Sequence, residues 1–206
     1  MTIYSKNTGR SLPKTLTMFQ GGLFIGAFYP GPPITNTSSD LYGNKNTGAP
    51  RLYKTFSDGE GTKSGSWGII ISPVDYIPSS YANFYNKNEQ FLKQSSYDGL
   101  YNVDTQLKFY FNMRRNFKYG GYTDWYIPSV DELAFISNNL PIGYYISRDF
   151  NAFQSNVYRS STISLQTTVP FFFAQSFSKD TYGTVVNVNG ESGDTGIRPI
   201  RRIEIL

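Results

Sequence analysis

Ten consecutive residues, Asp124-Trp-Tyr-Ile-Pro-Ser-Val-Asp-Glu-Leu133, constrain this chain more than any other stretch. Asp124-Trp125 reads as the end of a strand. Pro128 holds Ile127 in extended geometry, because the proline ring clashes with an α-helical residue before it. Ser129 and Glu132 then match a capping box, in which the serine hydroxyl accepts the N3 amide and the glutamate carboxylate reaches back to the serine amide. Leu133, Ile136 and Leu140 supply the apolar stripe of a helix, and Pro141 stops it. A strand that runs straight into a capped amphipathic helix requires a sheet for that helix to cover.

The surrounding pattern supplies one. Gly-Gly-Leu-Phe-Ile-Gly-Ala-Phe-Tyr over 21–29 reads as a strand ended by Pro30-Gly-Pro-Pro, since proline removes ladder donors and fixes φ. Residues 34–66 are rich in Thr, Asn, Ser, Gly and Asp and read as a long loop region. Trp67-Gly-Ile-Ile-Ile-Ser-Pro is a short continuous apolar run, as in a buried central strand, and 76–96 is a polar connection studded with aromatics. A first helix is expected over 102–117, where Leu107, Tyr110, Phe111 and Phe117 recur at near-helical spacing. Asp104 is its expected N-cap, with Gly120-Gly121 past its end. Short strands follow at 157–160, 169–176, 184–188 and 198–205. Strands, two helices and strands again predict an α+β domain over 21–206. Residues 1–20 precede it as an expected docking arm that carries Ile3, Tyr4, Leu12, Leu16, Met18 and Phe19. The competing reading of that stretch is a first strand paired within the domain.

Composition narrows the chemistry. The 206 residues include no cysteine and no histidine, which excludes thiolate and imidazole zinc sites, cysteine nucleophiles and Ser-His-Asp triads. No apolar run approaches the ~18 residues of a membrane span, so no membrane insertion is expected. The first residues lack the apolar core and cleavage site of a signal peptide. The formal charge is +4, but the basic residues are dispersed. The densest groups, Arg114-Arg115-Lys118 and Arg198-Arg201-Arg202, read as a solvated helix face and a solvated strand edge. No basic run interleaved with aromatics marks a nucleic-acid surface, so no nucleic-acid partner is expected.

Six segments in order resemble one family. Gly21-Gly-Leu-Phe, Trp67-Gly-Ile-Ile-Ile-Ser-Pro, Asp98-Gly-Leu-Tyr-Asn-Val-Asp, Tyr122-Thr-Asp-Trp-Tyr-Ile-Pro-Ser-Val-Asp-Glu-Leu, Tyr158-Arg-Ser-Ser-Thr and Ile197-Arg-Pro-Ile-Arg-Arg are similar to segments of the C-type-lectin-like domain that ends bacterial collagen-like adhesins. That domain recurs in phage and bacterial surface proteins and is distantly like formylglycine-generating enzymes. Arg159 stands where the family usually has tryptophan. The resemblance implies a C-type-lectin-like fold with two helices, short antiparallel strands and long loops. It does not carry over the formylglycine activity, whose copper-holding cysteines are missing, nor the Glu-Pro-Asn, Gln-Pro-Asp and Trp-Asn-Asp segments with which lectins hold calcium. Asp98, Asp104, Glu191 and Asp194 would bind calcium only as a chance cluster, because that ion needs about six to eight converging oxygens. No metal and no cofactor are expected, and Trp125, Ser129 and Glu132 are expected to be structural. Ser160 and Ser161 have no histidine to activate them.

The expected function is that of a non-enzymatic structural or adhesive component of a bacteriophage virion, in a tail, baseplate, neck or head appendage. Its partners would be other virion structural proteins and further copies of the chain, with a host surface polysaccharide as the contact. The alternative is a glycan-binding adhesin domain on a bacterial cell surface. A glycan-cleaving enzyme would need two carboxylates about 5 to 10 Å apart in a cleft, for instance Asp131 and Glu132. Tyrosine-rich loops suit contact through ring area, a hydroxyl and low rotamer entropy. Tyr42, Tyr53, Tyr81 and Tyr85 are the candidate ligand-binding residues.

Overall fold

A computed structural model describes residues 13–28, 67–77, 98–105, 113, 116–140, 153, 156–164, 171–178, 180–181, 183–189 and 195–204. These residues form a mixed α/β protein in which every strand pair is antiparallel. One sheet has the order β1-β2-β3-β7, built from β1 (Thr17–Phe19), β2 (Gly22–Phe28), β3 (Trp67–Ile71) and β7 (Ile200–Glu204). The second has the order β4-β5-β6, from Val157–Ser164, Phe171–Ser176 and Val185–Asn189. Helix α1 covers Gly99–Thr105 and α2 covers Val130–Asn139. Neither helix is long and apolar enough to cross a membrane.

The strand β3 is buried along its whole length, which its continuous apolar run demands. It is flanked by β2 and β7, with Ile70 opposite Phe24 on one side and Arg201 on the other. α2 lies against both β2 and the β4–β5 pair, and α1 against β4. Val130, Leu133 and Ile136 of α2 are buried, and Phe135 packs edge-on against Phe28. Burial of each such side chain contributes about 1.5–3 kcal/mol. The helix ends where expected. Leu140 is extended, its N–H still bonded to the Ile136 carbonyl, as a residue before proline must be.

Two expectations are corrected. The first helix starts earlier than its apolar spacing suggested, because Asp98 and not Asp104 caps it. The Asp98 carboxylate accepts the Tyr101 N–H at 3.0 Å and its carbonyl the Asn102 N–H, leaving Asp104 inside the helix. Of the remainder of the expected 102–117 helix, Met113 and Asn116 are helical, and the Met113 carbonyl accepts the Phe117 N–H. The arginines near the C-terminal end are also not a solvated edge. Arg198 is fully buried, Arg201 is 6% exposed, and the Arg202 side chain is 18% exposed against Asp98. Each has a carboxylate partner brought from far along the chain.

Within the stretch read as a docking arm, Thr17–Phe19 is a strand on β2, and the Leu16 N–H donates to the Phe24 carbonyl. Residues 1–12 lie outside the described ones. The β1–β2 turn places Gln20 and Gly21 both at positive φ, +46° and +82°, the type I′ geometry that matches strand twist. A second turn of this kind, Gly120-Gly121, joins Tyr119 to Tyr122. The two turns pack tip to tip, so closely that a Cβ on Gly120 would lie 2.4 Å from the Gly21 Cα.

Candidate functional site

The ten-residue segment that opens α2 builds the polar centre of the molecule. The capping box forms as expected, with Ser129 Oγ accepting the Glu132 N–H at 3.2 Å and Glu132 Oε2 accepting the Ser129 N–H at 2.8 Å. The carboxylate does more than cap. Oε2 also accepts the Gly99 N–H at 3.0 Å, while Oε1 accepts the Trp67 indole N–H at 3.1 Å and the Tyr126 hydroxyl at 2.7 Å. One fully buried carboxylate therefore joins β3, α1 and α2 through four donors. Gly99 is required there, since a Cβ would come within 2.4 Å of the Ile127 carbonyl and 2.7 Å of Glu132 Oε2.

Burial pushes Glu132 up to about 7, the nearby Asp98 carboxylate adds to the rise, and the bonds from Ser129, Tyr126 and Gly99 oppose it. Burial also drives the Tyr126 phenol well above its ordinary value, with the Glu132 charge second. A carboxyl near neutrality is a common mark of an acid–base catalyst. Here it is sealed off, with Glu132, Tyr126, Ser129 and Asp98 all at zero exposure. Asp131 is partly exposed beside the inward-facing Glu132, so the two do not converge on one cleft. Behind Glu132, Asp98 is ion-paired with Arg202 at 3.1 Å, and that guanidinium lies over the Trp67 ring at 5.2 Å.

The other recognisable segments also face inward. Ser160 Oγ donates to the Phe173 carbonyl at 2.7 Å, Ser161 Oγ donates to the Pro128 carbonyl at 3.2 Å and accepts from Asn102 Nδ2, and Thr162 Oγ1 accepts the Val130 N–H at 3.1 Å. Ser160 ties β4 to β5, and Ser161 and Thr162 tie β4 to the start of α2. Arg159 is fully buried, its guanidinium over the Phe172 ring at 4.8 Å and its Nε donating to Thr195 Oγ1 at 3.2 Å. A flat cation on an aromatic face occupies the interior much as an indole does.

Arg198 Nε lies 2.6 Å from Asp75 Oδ1, out of line for a hydrogen bond and so a close ion pair. Nη1 donates to the Ser72 carbonyl, the Tyr158 hydroxyl donates to Asp75 Oδ2, and the guanidinium covers the Phe153 ring at 4.5 Å. Arg201 grips Asp124 through Nε at 2.5 Å and Nη2 at 2.9 Å, donates from Nη1 to the Gln20 carbonyl, and stacks 3.7 Å from the Tyr122 ring centre. It thus clamps the two facing turns together.

Among the described residues no group of three or more metal-ligating side chains is assembled. Tyr42, Tyr53, Tyr81 and Tyr85 lie outside the described residues, as do Glu191 and Asp194. Tyr119 and Tyr122, which flank the Gly120-Gly121 turn, are partly exposed, with the Asp124 side chain 52% exposed close by. Met18 and Ile77 are the exposed large apolar side chains among the described residues. The arginine clamps escaped sequence reasoning because their partners Asp75, Asp98 and Asp124 are distant along the chain. Comparison with family models, with curated proteins and with solved structures finds no match for this chain.

Proposed function

We propose that this protein is a non-enzymatic structural or adhesive component of a bacteriophage virion, built on a C-type-lectin-like domain and working in several copies. One observation carries the reading. Segments that resemble that family in the sequence meet in a single polar network around Glu132. Trp67 comes from the second segment, Asp98 and Gly99 from the third, Tyr126, Ser129 and Glu132 from the fourth, and Arg202 from the last. The fifth joins through Ser161 and Asn102. Residues that share a fold role should converge in this way, whereas a chance assortment of motifs has no reason to. Their polar atoms are used up in holding the frame, which supports a role for the frame as a carrier of surfaces.

A contact role for the surface fits an assembly of copies, because shallow single sites gain about 10²–10⁴ in avidity when repeated. The test is immunogold labelling of particles released from infected bacteria, combined with light scattering of the purified chain and binding to intact host cells. Label on the particles and an oligomer in solution are expected. Label confined to the bacterial envelope would favour the adhesin alternative. Turnover of a surface polysaccharide by the purified chain would overturn the non-enzymatic reading.

A further inference from the structure

The centre around Glu132 holds two fully buried carboxylates and a single arginine. Asp98 and Glu132 sit on either side of one peptide unit, since Asp98 precedes Gly99 and the Gly99 N–H is bonded to Glu132 Oε2. The cation is spent on Asp98, where Arg202 Nη1 lies 3.1 Å from Oδ1. Around Glu132 itself stand neutral donors: the indole of Trp67 from β3, the backbone N–H of Gly99 from α1, and the Tyr126 hydroxyl and Ser129 N–H from the segment before α2. On its own helix the neighbouring Asp131 is partly exposed.

Three of those donors cannot reverse, because an indole N–H and a backbone N–H only donate. The Tyr126 hydroxyl can. It donates to Glu132 Oε1 when the carboxylate is charged, and its oxygen can accept when Oε1 carries a proton. The site therefore has one place for an added proton, on the 2.7 Å line between Glu132 Oε1 and the Tyr126 oxygen.

We infer that Asp98, Glu132 and Tyr126 form a proton-operated clasp, in which a proton taken up between Glu132 and Tyr126 relieves the repulsion of two buried carboxylates and so stabilises the folded junction of β3, α1 and α2. The proton comes from solvent and adds to the carboxylate, whose charge falls from −1 to 0. Tyr126 keeps its own proton, and its O–H turns off the Oε1 line by rotation about the C–O bond as its oxygen becomes the acceptor. Burial and the Asp98 charge place the change near neutrality, at about 7 against an ordinary 4.5. A carboxyl raised in the folded state and ordinary in the unfolded state gives stability that is complete below about 4.5 and lost as pH rises through about 7. The domain is thus firmest in mildly acidic surroundings and loosens toward alkaline ones.

The two tryptophans make the test direct. Trp67 Nε1 donates to Glu132, whereas Trp125 Nε1 donates to the Tyr119 carbonyl and serves as an internal reference. The 15N–1H signals of both indoles are followed from about pH 5 to about pH 9 in the intact protein, with Trp67→Phe to assign them. Expected is a titration of the Trp67 signal with a midpoint near neutrality and a flat Trp125 signal. In Asp98→Asn, which keeps a cap acceptor and removes the like charge, the midpoint should fall by about one unit. A flat Trp67 signal across the range overturns the clasp. A midpoint that does not move in Asp98→Asn overturns the two-carboxylate origin, and a melting temperature that rises with pH between about 5 and about 8 overturns the stabilisation by the proton.

Discussion

Trp67 and Glu132, 65 positions apart, meet through an indole N–H that donates to a fully buried carboxylate oxygen at 3.1 Å. The contact sets what replacement the site tolerates. A glutamine at 132 has one oxygen and one amide nitrogen, and in either orientation the nitrogen faces at least one N–H that only donates, Trp67 at the Oε1 position or Gly99 and Ser129 at the Oε2 position. Glu132→Gln should therefore destabilise the domain by about 3 kcal/mol or more, the scale of stranding buried donors. Urea unfolding followed by tryptophan fluorescence checks it, and a loss below about 1 kcal/mol would show that the carboxylate is dispensable.

The start of α2 is held by two hydroxyls rather than one. Ser129→Ala removes the acceptor for the Glu132 N–H and should cost about 0.5–2 kcal/mol. Thr162→Val removes the acceptor for the Val130 N–H, and leaving that buried donor unmet should cost about 1–3 kcal/mol. Both are read from denaturant midpoints, and binding to host cells should be unchanged in each.

Two glycines separate steric from conformational need. In Gly99→Ala the methyl meets backbone oxygen at 2.4 Å and backbone nitrogen at 2.5 Å, neither free to shift, so a loss of about 3 kcal/mol or failure to fold is expected. In Gly121→Ala nothing lies within 4 Å, but φ is +82°, and the cost should be about 1–2 kcal/mol. Equal losses at the two sites would contradict the packing of α1 onto the Ile127–Ser129 backbone.

Arg201 controls the first hairpin through Gln20 and Asp124. Arg201→Met keeps much of the stem and removes the clamp. Faster hydrogen exchange at Leu16 and in β1 is expected, with smaller changes in β3. Deletion of residues 1–12 should leave a folded domain and, if the arm docks on neighbours, abolish oligomers in light scattering. A deletion that continues through Phe19 strips β1 from the sheet and should lower the melting temperature as well.

Local features of the fold were legible in the sequence. The Ser129–Glu132 box was readable because both partners sit three residues apart, and Pro128 and Pro141 set their boundaries by fixed sterics. The buried β3 was readable from its unbroken apolar run. What stayed hidden was long-range. Nothing near Glu132 in sequence announces Trp67 or Gly99 as further donors. Arg198, Arg201 and Arg202 look solvated until Asp75, Asp124 and Asp98 are placed against them. The displaced cap of α1 has the same origin. Asp98 and Asp104 are equally good cap residues by type, and the choice was made by Gly99, which alone allows α1 to approach the Ile127–Ser129 backbone.

The clamp between Arg201 and Gln20 spans 181 positions, and Arg198 reaches Ser72 across 126. β7 belongs to the same sheet as β1, so that sheet closes only after β7 has been made. While a ribosome still holds β7, β3 has its Ile69–Ile71 ladder open on one side. Loop closure over such separations slows folding, and an unpaired apolar strand invites pairing between nascent chains. Yield in a recombinant host should accordingly be limited by synthesis speed and chaperone supply more than by the stability of the finished domain, and slower translation at low temperature should raise the soluble fraction.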